Sequence, residues 1–251
     1  MSYVFHAKKI YLKGHHEFYV LCAKNKVYLI LLREDLNTGN PLERTKHMKS
    51  ETAKKEENVY YFQAQDKLSA YHLSTKLCEL INKKCSPGTT LIVLCIGTDR
   101  VTGDSLGPLI GYKLSRKFLP LYKVYGTLDT PVHALNLAET VEKIKKKHPD
   151  NCIIAIDASL GSRDHLGFVT LKNGPIQPGA GVRKTLTTVG DISITGIVNA
   201  CGVLDHVALQ TTRLSTVMTL ADCISLGLQL TNHRQIDFYE EGFRLPNIHL
   251  V

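Results

Sequence analysis

IVLCIGTDRVTGDSLGP, residues 92–108, is a buried-looking strand that runs into a loop with two aspartates and resumes as an apolar run. The strand itself, TLIVLCIG, is an unbroken apolar stretch of the sort that a parallel sheet buries on both faces. Beyond the loop, SLGPLIGYKLSRKFL sets Leu106, Leu109, Ile110 and Leu114 along one side of a helix. Upstream, Leu73, Leu77, Leu80 and Ile81 recur at helical spacing until CSPG stops the segment. Downstream come a strand near LYKVYG, a helix across NLAETVEKIKKKH and a second fully apolar strand, NCIIAIDA. Strand, helix, strand, helix, strand is the pattern of βαβ units. The expected fold class is α/β, a mostly parallel sheet flanked by helices.

The texture then changes. GFVTLKNGPIQPGAGVRKTLTTVGDISITGIVN is rich in Gly, Thr and Pro with short β-prone runs, which predicts paired strands and ordered loops. From about Leu204 to Leu230 the chain reads as helical, with Leu209, Leu214, Val217, Leu220, Ala221, Ile224 and Leu228 on an apolar face. At the start, FYVLCAKNKVYLILL suggests two strands around a KNK turn, and REDLNTGNPLERTKHMKSETAKKEEN is polar, charged and turn-prone. The organisation predicted is an extension and linker over 1–66, a domain over 67–232 and a tail over 233–251. Met48 lies in the linker as a candidate alternative start, so residues 1–47 are expected to be dispensable.

Composition narrows the function classes. At 251 residues and 43% hydrophobic, the chain is long enough to bury one sizeable core. The net charge of +8 and pI near 9.0 admit anionic partners. However, the lysines are spread out or sit in short runs such as EKIKKKH, read as the solvated end of a helix. There is no tryptophan and no aromatic–basic interleaving for stacking bases, so nucleic acid is not expected as a partner. Seven cysteines at irregular spacing, with Cys95, Cys152, Cys201 and Cys223 in apolar company, read as buried hydrophobes of a reducing cytosol. No CxxC pair points to structural zinc. VYLILL (27–32) is too short to span a bilayer and no cleavage-like site follows it, so a cytoplasmic protein off the membrane is expected.

Ligand sites of open α/β sheets gather beyond the carboxyl ends of the strands. Asp104, in the loop after LIVLCIG, and Asp157, at the end of NCIIAIDA, are both placed there. Two carboxylates in one cleft tend to split into an ionised and a neutral partner, which suits hydrolysis: one takes a proton from water, the other protonates a leaving amine. The pair must approach within about 7 Å, with one carboxyl raised by its neighbour and by partial burial. The plainer alternatives are an N-cap for Asp104 and a turn for Asp157. Asp99 reads as loop-shaping first. Gly97, Gly103 and Gly107 follow a G-x5-G-x3-G order without a Lys-Ser/Thr ending and among two acids, which does not suit phosphate, so no nucleotide cofactor is expected. PGAGVRK (178–184) supplies Gly179 and Gly181; Arg183 with Lys184 could hold a peptide carbonyl or carboxylate, or simply decorate a tight turn. Asp191 is a third acid near the cleft or, preferably, a strand-edge residue. Two or three acids holding a divalent ion is a further option. Neither a G-x-S-x-G elbow nor a Cys–His signature is present.

CIGTDRVTGDSLGPLIG, VYGTLDTPVHALNL, AIDASLG, GPIQPGAGVRK and VGDISITGIVN together closely resemble the YyaC family of sporulation proteins of spore-forming Firmicutes, over roughly residues 68–230. That family looks like a relative of the spore germination protease and, more remotely, of hydrogenase maturation proteases. The resemblance implies a three-layer α/β/α, phosphorylase/hydrolase-like fold and a peptidase-like domain in the cytoplasm of a sporulating cell or forespore. In the germination protease one implicated aspartate lies in a DALGP-like block and one at the end of an apolar strand. The matching residues are Asp104 in GDSLGP and Asp157 in AIDAS. The implied substrate is a peptide or protein, in a cleft shaped by Gly97, Thr98, Gly103 and the PGAGV loop, with Asp99 and Asp191 as second-rank candidates. The rival implication is a non-catalytic binding or regulatory protein on the same scaffold. This chain departs from the germination protease in being much shorter and in showing no recognisable propeptide. Hydrogenase maturation proteases add a histidine that helps hold the nickel of their substrate; His133, His165 and His206 each have an ordinary loop or surface reading, so neither nickel nor another cofactor is expected.

Overall fold

The computed structural model describes residues 6–12, 16–23, 26–32, 59–86, 88–178, 188–202 and 204–242. The chain divides into two units, 1–54 and 55–251. In the first, β1 (His6–Leu12), β2 (His16–Ala23) and β3 (Lys26–Leu32) pair as an antiparallel sheet in that order. The β2–β3 pair is the one expected around KNK, and β1 adds a strand that the sequence reading missed. The linker stretch 33–58, Met48 included, lies outside the described residues.

The second unit runs β4 (Val59–Gln63), α1 (Ser69–Lys84), β5 (Thr90–Cys95), α2 (Leu106–Ser115), β6 (Tyr122–Tyr125), α3 (Leu137–Lys147), β7 (Asn151–Gly161), β8 (Phe168–Lys172), β9 (Ile192–Ala200), α4 (Asp205–Gln210) and α5 (Leu214–Gly242). Its six-stranded sheet has the order β4-β8-β9-β7-β5-β6. The pairs β5–β6, β5–β7 and β7–β9 are parallel, and β8 is antiparallel to both of its neighbours. This is the mostly parallel α/β sheet that the apolar runs predict.

Alternation along the strands sorts the core into two layers. Leu91, Val93, Cys95, Ile154 and Ile156 pack with Leu73, Leu77, Ile110, Leu220 and Ile224 of α1, α2 and α5. Ile92, Leu94, Ile153 and Ala155 pack with Leu137 and Ile144 of α3. A strand apolar at every position is therefore buried on both sides, and each such side chain contributes about 1.5–3 kcal/mol to the fold. The chain leaves β5 to form β6 on one flank, then crosses back so that β7 lies on the other flank of β5. The strand order reverses at β5/β7, and a crevice forms beyond the carboxyl ends at such a point.

Several boundaries differ from expectation. Val59–Gln63, read as linker, is an edge strand, and Tyr60 and Phe62 rest against the core. Helix α5 continues to Gly242, through the residues read as a tail. Asn232 and Gln235 are buried: the Asn232 side-chain oxygen accepts from Leu121 N at 3.3 Å, and Gln235 donates to Asn82 at 2.9 Å. These polar anchors break the apolar pattern from which the helix end was read. Leu214, expected on the apolar face, is the exposed first residue of α5, and Cys201, just past β9, is exposed while Cys95, Cys152 and Cys223 are buried. Leu214–Ile236 is long and apolar enough to cross a membrane by composition, but half of it is buried against the rest of the domain, as a core helix is.

Candidate active site at the carboxyl edge of the sheet

Strand β5 stops at Cys95, and the next three residues build the floor of the crevice. Ile96 bridges Val132 in parallel fashion, and its N–H donates to Ile156 O at 2.7 Å. Gly97 N–H donates to Val132 O at 2.8 Å. Gly97 has φ +137°, and a Cβ there would overlap the Asp104 carbonyl oxygen. Only glycine lets the returning loop lie that close. Thr98 N–H then donates both to the Asp104 carbonyl at 3.1 Å and to its Oδ2 at 3.0 Å.

Asp104 thus sits in a 3-10 turn, Gly103–Ser105, leading into α2, with its carboxylate turned back to the β5 loop. The N-cap alternative is not what the structure shows, since the helix start carries no side-chain cap. Gly103 is pressed against the Leu209 carbonyl of α4, which closes the turn from above. Burial raises the Asp104 carboxyl above the usual carboxylate range; the Thr98 N–H and the charge of His133 pull it the other way. The expectation was a rise from a neighbouring carboxylate together with partial burial; of these, burial supplies the rise.

Asp157 lies one residue beyond the last β5–β7 pair, Cys95↔Ile156, so it flanks Ile96. It does not end its strand, as expected, because β7 continues beside β9 to Gly161. It is buried, and its Oδ1 accepts from Ala158 N at 2.8 Å. Alternation with Ile153 and Ala155 brings its side chain out on the α3 face, whereas Asp104 precedes α2 on the opposite face. The two acids therefore leave the sheet on opposite faces, on either side of the end of β5.

The remaining candidates separate. Thr98 holds the loop, also accepting from Arg100 N at 3.3 Å, and Asp99 is exposed beside it. It is Thr98, not Asp99, that shapes the loop. Asp191 is removed from the crevice: its Oδ2 accepts from Ile153 N at 2.8 Å and its own N–H donates to Ile153 O at 2.8 Å. That clamp locks the amino end of β9 to β7, four residues before Thr195, the partner of Asp157. At a rise of about 3.3 Å per residue this is on the order of 13 Å from the acid. Gly179, Gly181, Arg183 and Lys184 lie outside the described residues. His165 stacks on Tyr61 of the edge strand with ring centroids 4.8 Å apart, and His206 is exposed on α4. Among the described residues no cluster of three or more His, Cys, Asp or Glu stands ready to hold a metal ion.

Two features escaped the sequence reading. Across β7, β9 and β8, Ser159 donates to Thr195 at 3.1 Å, and the Thr195 and Thr170 hydroxyls are 2.7 Å apart. These hydroxyls share the face of Asp157 by register. Their signal was the alternating Thr and Ser of FVTLK and ISITG, read only as β-propensity. The second is the anchoring of the end of β5 by Val132, which bridges Ile96 and accepts from Gly97 N, beside the His133 that the sequence reading had set aside as an ordinary loop histidine.

The DUF1256 family model, described as a protein of unknown function, matches residues 61–227. The chain belongs to this family. YyaC of Bacillus subtilis (strain 168), an uncharacterized protein, is 43% identical over 175 residues, covering 70% of this chain and 84% of YyaC. Both aspartates and His133 fall within the DUF1256 match. Among solved structures, the NiFe hydrogenase maturation protease HycI of Thermococcus kodakarensis KOD1 is similar at 13% identity and a TM-score of 0.41, over 62% of this chain and 98% of HycI.

Proposed function

We propose that this DUF1256 protein is a peptide hydrolase that activates water between Asp104 and Asp157. The supporting observation is the position of both acids at the β5/β7 reversal point, with Asp104 a half-buried carboxyl whose proton affinity is raised and Asp157 buried. The raised carboxyl is the acid and Asp157 the base. In this reading Asp157 takes a proton from water, and the hydroxide adds to the scissile carbonyl carbon. As the C–N bond breaks, Asp104 gives its proton to the departing amine; solvent then carries the proton from Asp157 back to Asp104. Thr98 N–H, already on Oδ2, keeps the carboxylate left on Asp104 hydrogen-bonded. The hydroxyls of Ser159, Thr195 and Thr170 offer donors and acceptors for an extended peptide backbone along the sheet.

The resemblance to the germination protease at GDSLGP and AIDAS supports the same roles, and resemblance to the YyaC family supports a cytoplasmic role in spore formation. The test is comparative analysis of protein termini in sporulating cells that carry either the wild-type chain or Asp104→Asn. Hydrolysis predicts proteins left uncleaved in the variant. Identical termini, with the variant still complementing a deletion strain, would instead identify a binding or regulatory module.

A further inference from the structure

The row of residues that contains Asp157 does not stop at β7. Cross-strand register pairs Asp157 with Thr195 of β9, Thr195 with Thr170 of β8, and Thr170 with Tyr61 of β4. Directly paired residues point to the same face of a sheet, so these four side chains form one line from the acid to the edge strand. With strands about 4.8 Å apart, Tyr61 stands about 14 Å from Asp157. The line changes character on the way. Thr195 and Thr170 are half-buried with their hydroxyls 2.7 Å apart, and Ser159 donates to Thr195 at 3.1 Å. Three hydroxyls joined by two hydrogen bonds keep one proton and several lone pairs for an outside partner. At the far end Tyr61 is 50% exposed; His165 stacks on it with ring centroids 4.8 Å apart and meets Phe168 edge-on at 5.4 Å. Leu166, next to His165, is also exposed. None of the three rings belongs to either core layer, which Tyr60 and Phe62 reach from the other side of the same strand region.

We propose that Tyr61, His165 and Phe168 form a subsite for a bulky apolar side chain of a peptide that lies across β8 and β9 with its scissile bond at Asp157. The inference rests on the hydrolytic reading above and adds a substrate class to it. An extended peptide advances about 3.3 Å per residue, so the rings are reached about four residues from the bond. The row itself argues for a peptide as the occupant. Its hydroxyls are neutral and both donate and accept, which matches the alternating N–H and C=O groups of a backbone. A polyanion would meet Asp157 and no basic side chain along the row. The exposed Tyr61 ring, held in place by its stacked neighbour, then offers an apolar side chain a face to bury against, with aromatic side chains gaining most.

The test is cleavage of a randomised peptide library by the full-length protein, read as the residues preferred at each distance from the cleaved bond. Phe, Tyr, Leu and Met should be favoured over Gly by about tenfold at a position about four residues to one side. Tyr61→Ala should abolish that preference and leave the other positions unchanged, whereas Tyr61→Phe keeps the ring and should keep the preference. Phe118→Ala, at an exposed ring in the turn before β6, should also keep it. His165→Ala removes the stacked partner without altering β4, and gives the same readout if Tyr61→Ala fails to fold. Cleavage without a preference at that distance, or a preference that survives both changes in folded protein, overturns the subsite and leaves hydrolysis standing. If nothing is cleaved, the same library is selected for binding to the wild type and to Tyr61→Ala. Retention of Phe-bearing peptides that depends on Tyr61 then keeps the subsite while the hydrolytic reading fails; retention that does not depend on Tyr61 overturns both.

Discussion

The seat of Asp104 on Gly97 can be tested through one added methyl group. Gly97→Ala forces an L side chain to φ +137° and drives a Cβ into the Asp104 carbonyl oxygen, a backbone atom that cannot swing aside. The backbone strain costs about 1–3 kcal/mol, and releasing the carboxylate from Thr98 N–H about 1.5–3 kcal/mol more, for a total of about 2.5–6 kcal/mol. In a domain of this size that corresponds to a fall in melting temperature of about 10 °C. Two other glycines calibrate the result. Gly167 has φ +81° with nothing within 4 Å of a built Cβ, so alanine there carries strain alone, about 1–2 kcal/mol. Gly202 has open space and no positive φ, so alanine there should be neutral or stabilise by about 0.4–1 kcal/mol. Urea unfolding of the three variants gives the order directly. If Gly97→Ala costs no more than Gly167→Ala, Asp104 is not seated on the end of β5, and the site geometry falls with it.

Other expectations are independent of that series. Because burial raises the Asp104 carboxyl in the native state, the native state holds its proton more tightly than the unfolded chain. Its contribution is therefore full below the ordinary carboxyl range and lost as pH rises through the raised value. Asp104→Asn should accordingly raise the urea midpoint at pH 7 and change it little at pH 3; the opposite order would show a carboxylate stabilised by its surroundings. Asp191→Ala strips the acceptor from Ile153 N and should cost about 1–3 kcal/mol while leaving any peptide cleavage unchanged per folded molecule. Cutting the chain before residue 55 should leave the main domain's unfolding midpoint in place. A cut at 66 removes β4 with Tyr60 and Phe62 and should destabilise the domain by about 2–4 kcal/mol.

What the sequence revealed of this fold follows from how local each signal is. TLIVLCIG and NCIIAIDA each carry an unbroken apolar run, Leu91–Ile96 and Cys152–Ile156, because both sheet faces are covered there, so they announced parallel central strands without any knowledge of their neighbours. Edge strand β4 covers the core on one face only, and VYYFQ beside a charged linker looked like more linker. The end of α5 was misjudged because the buried Asn232 and Gln235 are hydrogen-bonded to the loop before β6 and to α1, partners that lie far away in sequence. The acids stood out as candidates because each comes after an apolar run, Asp104 past the end of β5 and Asp157 within β7. Which face each one takes did not stand out, since it depends on the strand order reversing at β5/β7. Asp191 illustrates the cost: VGDISITG looks like an acid entering a strand, and only the register with Ile153 shows it clamping the amino end of β9.

The most direct test of the paired acids is cleavage of a peptide library by the purified full-length protein and by Asp104→Asn, Asp157→Asn and the double variant, each checked for folding. If the two act on one bond, each single change abolishes cleavage and the double change is no worse than either alone. Wild-type rates retained by either folded single variant would contradict the account.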